Sequence, residues 1–247
     1  MGDDEARRAS ARGGQDLSTG TLTAEAPPPV LVPTTVLVPE PDAAAIEKGR
    51  LLFAGACDFF HAAQTLGDLP GQHLPEVAFA GRSNVGKSSL LNALTGRRAL
   101  ARVSATPGRT KQLNFFDLGG RLTLVDMPGY GYAEASKSVK EAWQGMMFDY
   151  LRGRATLRRA ILLIDARVGF KPADEAAMKL LDQAACAFQI VLTKADKVKP
   201  TPLAAMIATA GAVARAHTAA LPSVLVTSAE TGFGIEALRA EIASLGA

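Results

Sequence analysis

The sequence predicts an α/β fold of three layers, with helices on both faces of a mostly parallel six-stranded sheet that holds one antiparallel strand. Three observations carry that reading. From Val77 onward, short apolar runs of strand length alternate with longer helical segments, the pattern of parallel strands joined by crossover helices. The pair Gly119-Gly120 separates two adjacent strand-like runs, which predicts one hairpin and therefore one antiparallel strand. Apolar residues make up 48% of the 247, enough for a sizeable core.

Residues 1–41 contain Pro27-Pro28-Pro29 and no aromatic side chain, and Pro33 and Pro39 interrupt the valines and leucines of 30–38; a disordered tail is expected. Residues 42–72 read as a helical extension, because Ala43 to Leu66 is rich in Ala, Leu and Phe, with Phe53, Phe59 and Phe60 as packing anchors. The main domain, 73–247, then begins. Val77 to Ala80 is a strand, and Lys87 to Thr95 a helix stopped by Gly96. Asn114 to Leu118 and Arg121 to Val125 are the two strands of the hairpin. Val139 to Leu151 carries apolar residues at 139, 143, 146, 147 and 150, a helical period. Strands Ile161 to Ile164, Ile190 to Leu192 and Val224 to Val226 alternate with helices Ala173 to Ala184, Leu203 to Ala216 and Ile235 to Leu245. In open sheets of this kind, ligands sit at the carboxyl ends of the strands.

Charge is unevenly spread. Residues 1–41 carry six acidic and three basic side chains (net −3), so the rest carries 24 basic and 18 acidic (net +6) of the overall 27 and 24. A mildly basic body is compatible with a nucleic-acid or ribonucleoprotein partner. The run Met1-Gly2-Asp3-Asp4-Glu5 is acidic and polar where a secretory signal is apolar, and Ala6 stands where a myristoylation motif has Ser or Thr. No run is long and apolar enough to span a bilayer. A cytoplasmic protein with no membrane partner is expected. Cys57 and Cys186 match no zinc spacing and read as buried or incidental thiols, and the scattered His61, His73 and His217 are assigned no ligand role.

The motifs that carry chemistry all follow predicted strands. Gly81-Arg82-Ser83-Asn84-Val85-Gly86-Lys87-Ser88 fits G-x-x-x-x-G-K-[ST] between a strand and a helix. Its glycines let the backbone wrap phosphates with inward N–H groups, and the helix N-terminus adds a favourable dipole. Lys87 supplies a point charge to the β- and γ-phosphates and Ser88 a hydroxyl to Mg²⁺, and Ser89 is counted with them in the nucleotide site. Asp126-Met127-Pro128-Gly129 lies some forty residues further on. Its carboxylate can hold Mg²⁺, usually through water, and Gly129 can turn its N–H toward a γ-phosphate. In Thr193-Lys194-Ala195-Asp196, the Asp196 carboxylate can accept from guanine N1–H and the 2-amino group, donors that adenine lacks, so GTP or GDP is expected rather than ATP. The Lys194 stem can cover the base. Val226-Thr227-Ser228-Ala229 ends the last strand, where a backbone N–H could meet guanine O6. Between the first two motifs lies Thr106-Pro107-Gly108-Arg109-Thr110; Thr106 and Thr110 both qualify as a second Mg²⁺ hydroxyl, and Pro107-Gly108 is equally an ordinary turn.

Five motifs in this order resemble the Ras-like, translation-factor-related GTPases, hence a three-layer P-loop NTPase of the Ras-like G-domain type. The runs FAGRSNVGKSSLLNAL (79–94), TPGRTKQLNFF (106–116), LVDMPGYGYA (124–133) and LTKADK (192–197) look like the EngB-type (YihA/YsxC) bacterial GTPases. The resemblance covers about 73–247 together with the helical segment before it. It implies GTP or GDP and Mg²⁺ as cofactors. It makes Thr110 the switch threonine and a metal ligand with Ser88 and Asp126, and it puts Gly108, Arg109, Thr110, Lys111 and Gln112 in the nucleotide site. Here Lys111 stands before Gln112, where many members have Gln directly. The implied catalytic set is Lys87, Thr110 and Gly129, and Thr193 is expected to donate a hydrogen bond to the phosphate loop. Members are taken to assist assembly of the large ribosomal subunit and are also associated with division and septation. The implied partner is the large ribosomal subunit or its precursors, with an rRNA contact, and the expected state is a monomer.

Tyr130 follows Gly129 where Ras-like proteins carry a water-orienting Gln, so slow intrinsic hydrolysis is expected. Arg97, Arg98, Arg102, Arg109 and Lys111, with Lys137, Lys140, Arg152, Arg154, Arg158 and Arg159, form the candidate RNA-facing charge or an ordinary solvated face. Tyr130 and Tyr132 could stack on bases or pack. A metabolic GTP-consuming enzyme would need an acceptor pocket and general base for which no added domain or carboxylate cluster is present in the sequence. A division factor using GTP only as a ligand is the remaining alternative.

Overall fold

In the computed structural model, residues 40–97, 100, 112–130 and 137–246 are described, 137–144 by backbone only. The expected tail therefore lies outside the described residues, except for its last two.

Helix α1 (Ala43–Ala54) opens at Asp42, whose Oδ1 accepts from Ala45 N at 2.7 Å, and ends at Gly55. The chain then departs from the helical reading of 43–66. Cys57–Ala63 is a strand, β1, a seventh strand beyond the six expected. It pairs antiparallel with β3 (Leu113–Leu118), setting Phe59 edge-on to Phe116 (5.8 Å) and Phe60 beside Phe115 (6.2 Å). Cys57 and Ala63 are buried, while Phe59 and Phe60 stay 40% and 48% exposed, so they flank the sheet rather than anchor a helix. The unpaired edge of β3 supplies backbone partners that a local preference for helix cannot match.

The remaining strands and α-helices among the described residues are β2 (Glu76–Gly81), α2 (Lys87–Thr95), β4 (Leu122–Asp126), α3 (Lys137–Gly153), β5 (Leu157–Asp165), α4 (Pro172–Gln183), β6 (Phe188–Thr193), α5 (Pro200–Ala216), β7 (Ala220–Val226) and α6 (Ile235–Ser244). The sheet order is β1-β3-β4-β2-β5-β6-β7. Among the described residues its single antiparallel strand is β3, closed onto β4 through Gly119-Gly120.

Side chains alternate across the sheet, as strand geometry requires. Val77 and Phe79 of β2 face Leu90, Leu91 and Leu94 of α2, with α1 and α6. Ala78 and Ala80 face Met147 and Tyr150 of α3, Met178 and Leu181 of α4, and Ala210 and Ala214 of α5. The result is helix, sheet and helix in three layers. Register then aligns the carboxyl ends: Phe79 pairs with Asp126, Gly81 with Leu163, Asp165 with Thr193 and Leu192 with Val226. The motifs at those ends share one rim.

At the opposite end of β2, Glu76 is buried and accepts from Arg154 (2.6 Å), Tyr150 OH (3.1 Å) and Thr156 Oγ1 (2.9 Å). Arg154 is thus a buried partner in the frame and is withdrawn from the candidate RNA face. Arg159 is likewise engaged, by Glu241 and by Gln189 Oε1.

Candidate functional site

The phosphate loop leaves β2 at Gly81 and enters α2 at Gly86, whose φ of +104° is a left-handed backbone that suits glycine. Among the described residues no side chain caps α2, so its first N–H groups keep the donor capacity and positive end of the dipole that suit an anion. Val85 is buried and its N–H bonds to Arg82 O at 3.1 Å, which tightens the loop. Ser88 and Ser89 are exposed at the rim. Lys87 Nζ pairs with Asp126 Oδ1 at the mouth of the loop, and Asp126 is 3% exposed. An ammonium and a buried carboxylate side by side match, in charge, a polyphosphate with a divalent cation: the ammonium can take phosphate oxygens while the carboxylate turns to the cation.

Beside the loop, Thr193 Oγ1 donates to Val85 O at 2.6 Å, the contact expected of it. Lys194, at φ +58°, reaches Asn84 O (2.6 Å) and Asp165 Oδ2 (3.0 Å), its stem lying over Gly86. Asp196 accepts from Ser228 Oγ at 2.7 Å and pairs with Lys197 at 3.0 Å, contacts that hold its carboxyl below the usual range. Ala195 N donates to Thr227 O, and Thr227 N and Oγ1 to Leu192 O. The last strand's motif, Val226 to Ala229, is thereby tied to Thr193–Asp196. A cavity of about 520 Å³ lies between these residues and α2, lined by Gly86, Ser89, Lys194, Asp196, Thr227 and Ala229 among others. That volume suits one nucleoside.

Asp126, Met127, Pro128 and Gly129 run along the loop. Met127 N bonds to Phe79 O at 3.0 Å, and Gly129 lies against Ser83, where a β-carbon would come within 2.9 Å of Oγ. Gln112 donates to Asn114 Oδ1 at 2.9 Å, at the start of β3. Thr106, Gly108, Arg109, Thr110 and Lys111 lie outside the described residues. So do Arg98, Arg102 and Tyr132, and the side chains of Lys137 and Lys140.

Two carboxylates at this rim escaped the sequence reading. Asp165 ends β5, where the strand-end rule for ligand sites could have flagged it. Burial pushes its carboxyl up, but hydrogen bonds from Arg167 and Lys194 outweigh that and hold it at about 2. Asp174, in the first turn of α4, reads in sequence as an ordinary dipole-facing acid, yet it is fully buried. Tyr130 OH donates to it at 2.9 Å, so Tyr130 packs inward and does not offer its ring to bases.

A phosphate loop at the end of a central strand, with Thr193–Asp196 bonded to its backbone, defines a P-loop GTP-binding protein. The family model described as "50S ribosome-binding GTPase" matches residues 76–194. The "Probable GTP-binding protein EngB" of Gluconobacter oxydans (strain 621H) is 67% identical over 203 residues, 82% of this chain and 89% of the relative. Its namesake in Granulibacter bethesdensis (strain ATCC BAA-1260 / CGDNIH1) is 65% identical over 206, covering 83% and 92%. A crystal structure of a probable GTP-binding protein EngB superposes with a TM-score of 0.55 at 25% identity, over 69% of this chain and 97% of that one. The chain belongs to the EngB family of GTP-binding proteins, which are GTPases.

Proposed function

We propose that this GTPase is a Mg²⁺-dependent switch with slow intrinsic hydrolysis that assists assembly of the large ribosomal subunit. The reading makes it a cytoplasmic monomer; among the described residues no helix is long and apolar enough to cross a membrane. The observation that carries the nucleotide part is the juxtaposition at one rim of the Lys87–Asp126 pair, of Lys194 bonded to the phosphate-loop backbone at Asn84 O, and of Asp196 bonded to Ser228. In this reading Gly81–Ser89 wraps the phosphates, with Lys87 on the β and γ groups. Ser88, Thr110 and Asp126 would hold Mg²⁺, which would neutralise phosphate charge when bound. Asp126–Gly129 and Gly108–Gln112 report on the γ-phosphate. Thr193–Asp196 and Val226–Ala229 select and seat guanine. Lys87, Thr110 and Gly129 form the catalytic set.

Slow hydrolysis follows from Tyr130, whose hydroxyl is bound to Asp174 and so does not orient water. A Tyr130→Ala variant is expected to keep most of the turnover at saturating GTP; losing most of it overturns this point.

The ribosomal partner is supported by the description of the matching family model, by the +6 body, and by the exposed Arg152 and Arg158. The test is pelleting with separated ribosomal subunits, with GDP or a non-hydrolysable GTP analogue, across a salt series. Binding to the large subunit only with the analogue, weakening with salt, is expected. No nucleotide-dependent binding at any salt removes the ribosomal reading and favours a division factor that uses GTP as a ligand.

A further inference from the structure

Asp174 gathers donors from three parts of the chain. Lys171 N donates to Oδ2 at 2.8 Å, closing the first turn of α4. Capping a helix needs no more than that. The other two donors come from the nucleotide rim: Arg82 Nε, at 3.1 Å from Oδ1 and 2.9 Å from Oδ2, and Tyr130 OH at 2.9 Å. Arg82 is the second residue of the phosphate loop, and Tyr130 follows Gly129. The guanidinium is fixed further by its bond to Gly169 O at 2.9 Å.

The same two residues also meet through their backbones. They form an isolated parallel bridge, with Tyr130 N on Gly81 O and Ser83 N on Tyr130 O, both at 3.2 Å. Gly129 is pressed onto Ser83 by this pairing, with its virtual β-carbon 3.2 Å from Ser83 N and Cα. Two weak backbone bonds at the end of a strand would fray without side-chain support. Burial, then the Asp174 charge, push the Tyr130 phenol far above its usual range, so it remains a donor at every physiological pH.

We propose that Asp174 is a positioning residue of the nucleotide switch, clamping Tyr130 and Arg82 together so that the Gly129 backbone is held against the phosphate loop before GTP arrives. This rests on the GTP-switch reading above. A contact from Gly129 N–H to a γ-phosphate is strong only if the residue is already ordered, because otherwise its ordering entropy subtracts from binding. GDP lacks that phosphate and gains nothing from the clamp. Asp174 therefore sets the preference for GTP over GDP from the first turn of α4.

The test titrates the full chain with fluorescent GDP and a fluorescent non-hydrolysable GTP analogue, comparing wild type with Tyr130→Phe and Asp174→Asn. Tyr130→Phe removes one hydroxyl and keeps the ring, so folding is preserved. It is expected to weaken the analogue about tenfold, the scale of one hydrogen bond to a charged group, while GDP affinity stays within about twofold. The GTP KM rises by a similar factor with kcat nearly unchanged. Asp174→Asn shifts the ratio the same way, and the double variant adds little beyond the larger single effect. Equal weakening of both nucleotides, or an unchanged ratio in Tyr130→Phe, overturns the clamp. If wild type binds neither nucleotide, the GTP-switch reading itself fails.

Discussion

On the base side of the site, Thr193, Lys194, Asp196 and Thr227 bond to backbone or to side chains of the same rim. On the phosphate side, Lys87 and Asp126 hold each other. If guanine is seated there as proposed, it enters the first half with little more than a change of partner at Asp196. A nucleotide entering the second half must part an ion pair. In the proposed reading, base specificity is carried by a pre-built frame, while at Lys87 and Asp126 the phosphates are met by groups that exchange partners.

The largest expected effect breaks the phosphate side. Lys87→Ala leaves Asp126 buried without its ammonium and should cost about 3–5 kcal/mol of unfolding free energy without nucleotide. Adding Asp126→Asn should recover at least half of it, measured by urea unfolding of the two singles and the double. If Lys87→Ala costs nothing, the two halves do not differ as argued. Gly234→Ala attacks the base side through its backbone. Gly234 has φ +72°, and a β-carbon there would lie 2.0 Å from Val226 O. A loss of about 3 kcal/mol is expected, with weaker binding of GDP and GTP alike.

Asp165→Asn should cost about 2 kcal/mol at pH 7, the scale of hydrogen bonds to a charged group. Folding lowers the Asp165 pKa from 3.8 to about 2. Its contribution is therefore complete above pH 4 and fades as pH falls toward 2. The variant's unfolding midpoint should accordingly fall less steeply than wild type across that window; an unchanged slope refutes the assignment. The smallest effect belongs to Thr193→Val, about 1 kcal/mol for the bond to Val85 O. It should appear as a several-fold loss of affinity for both nucleotides.

The motif residues were legible because each set is local: a short run at a strand end, recognisable by residue type and spacing. Six strands and their helices were legible for a similar reason, since apolar period reports which face is buried. What escaped depends on partners distant in sequence. Cys57–Ala63 reads as helix until the edge of β3, Leu113–Leu118, is beside it. Arg154 counts as surface charge until Glu76 is found against it. Phe59 and Phe60 resemble core anchors, yet they flank the sheet. Asp174 looks like one more acid at a helix start, and nothing local ties it to Arg82 or Tyr130.

By itself, then, the sequence determined the fold class, the family, and the short runs at the strand ends, because these are written in neighbouring residues. Only the tertiary structure decided the seventh strand, the pairing of Lys87 with Asp126, and the buried carboxylates that order the rim. Those depend on which charges and backbone edges meet across the fold, and a charge's role is set by its partner and its burial rather than by its type.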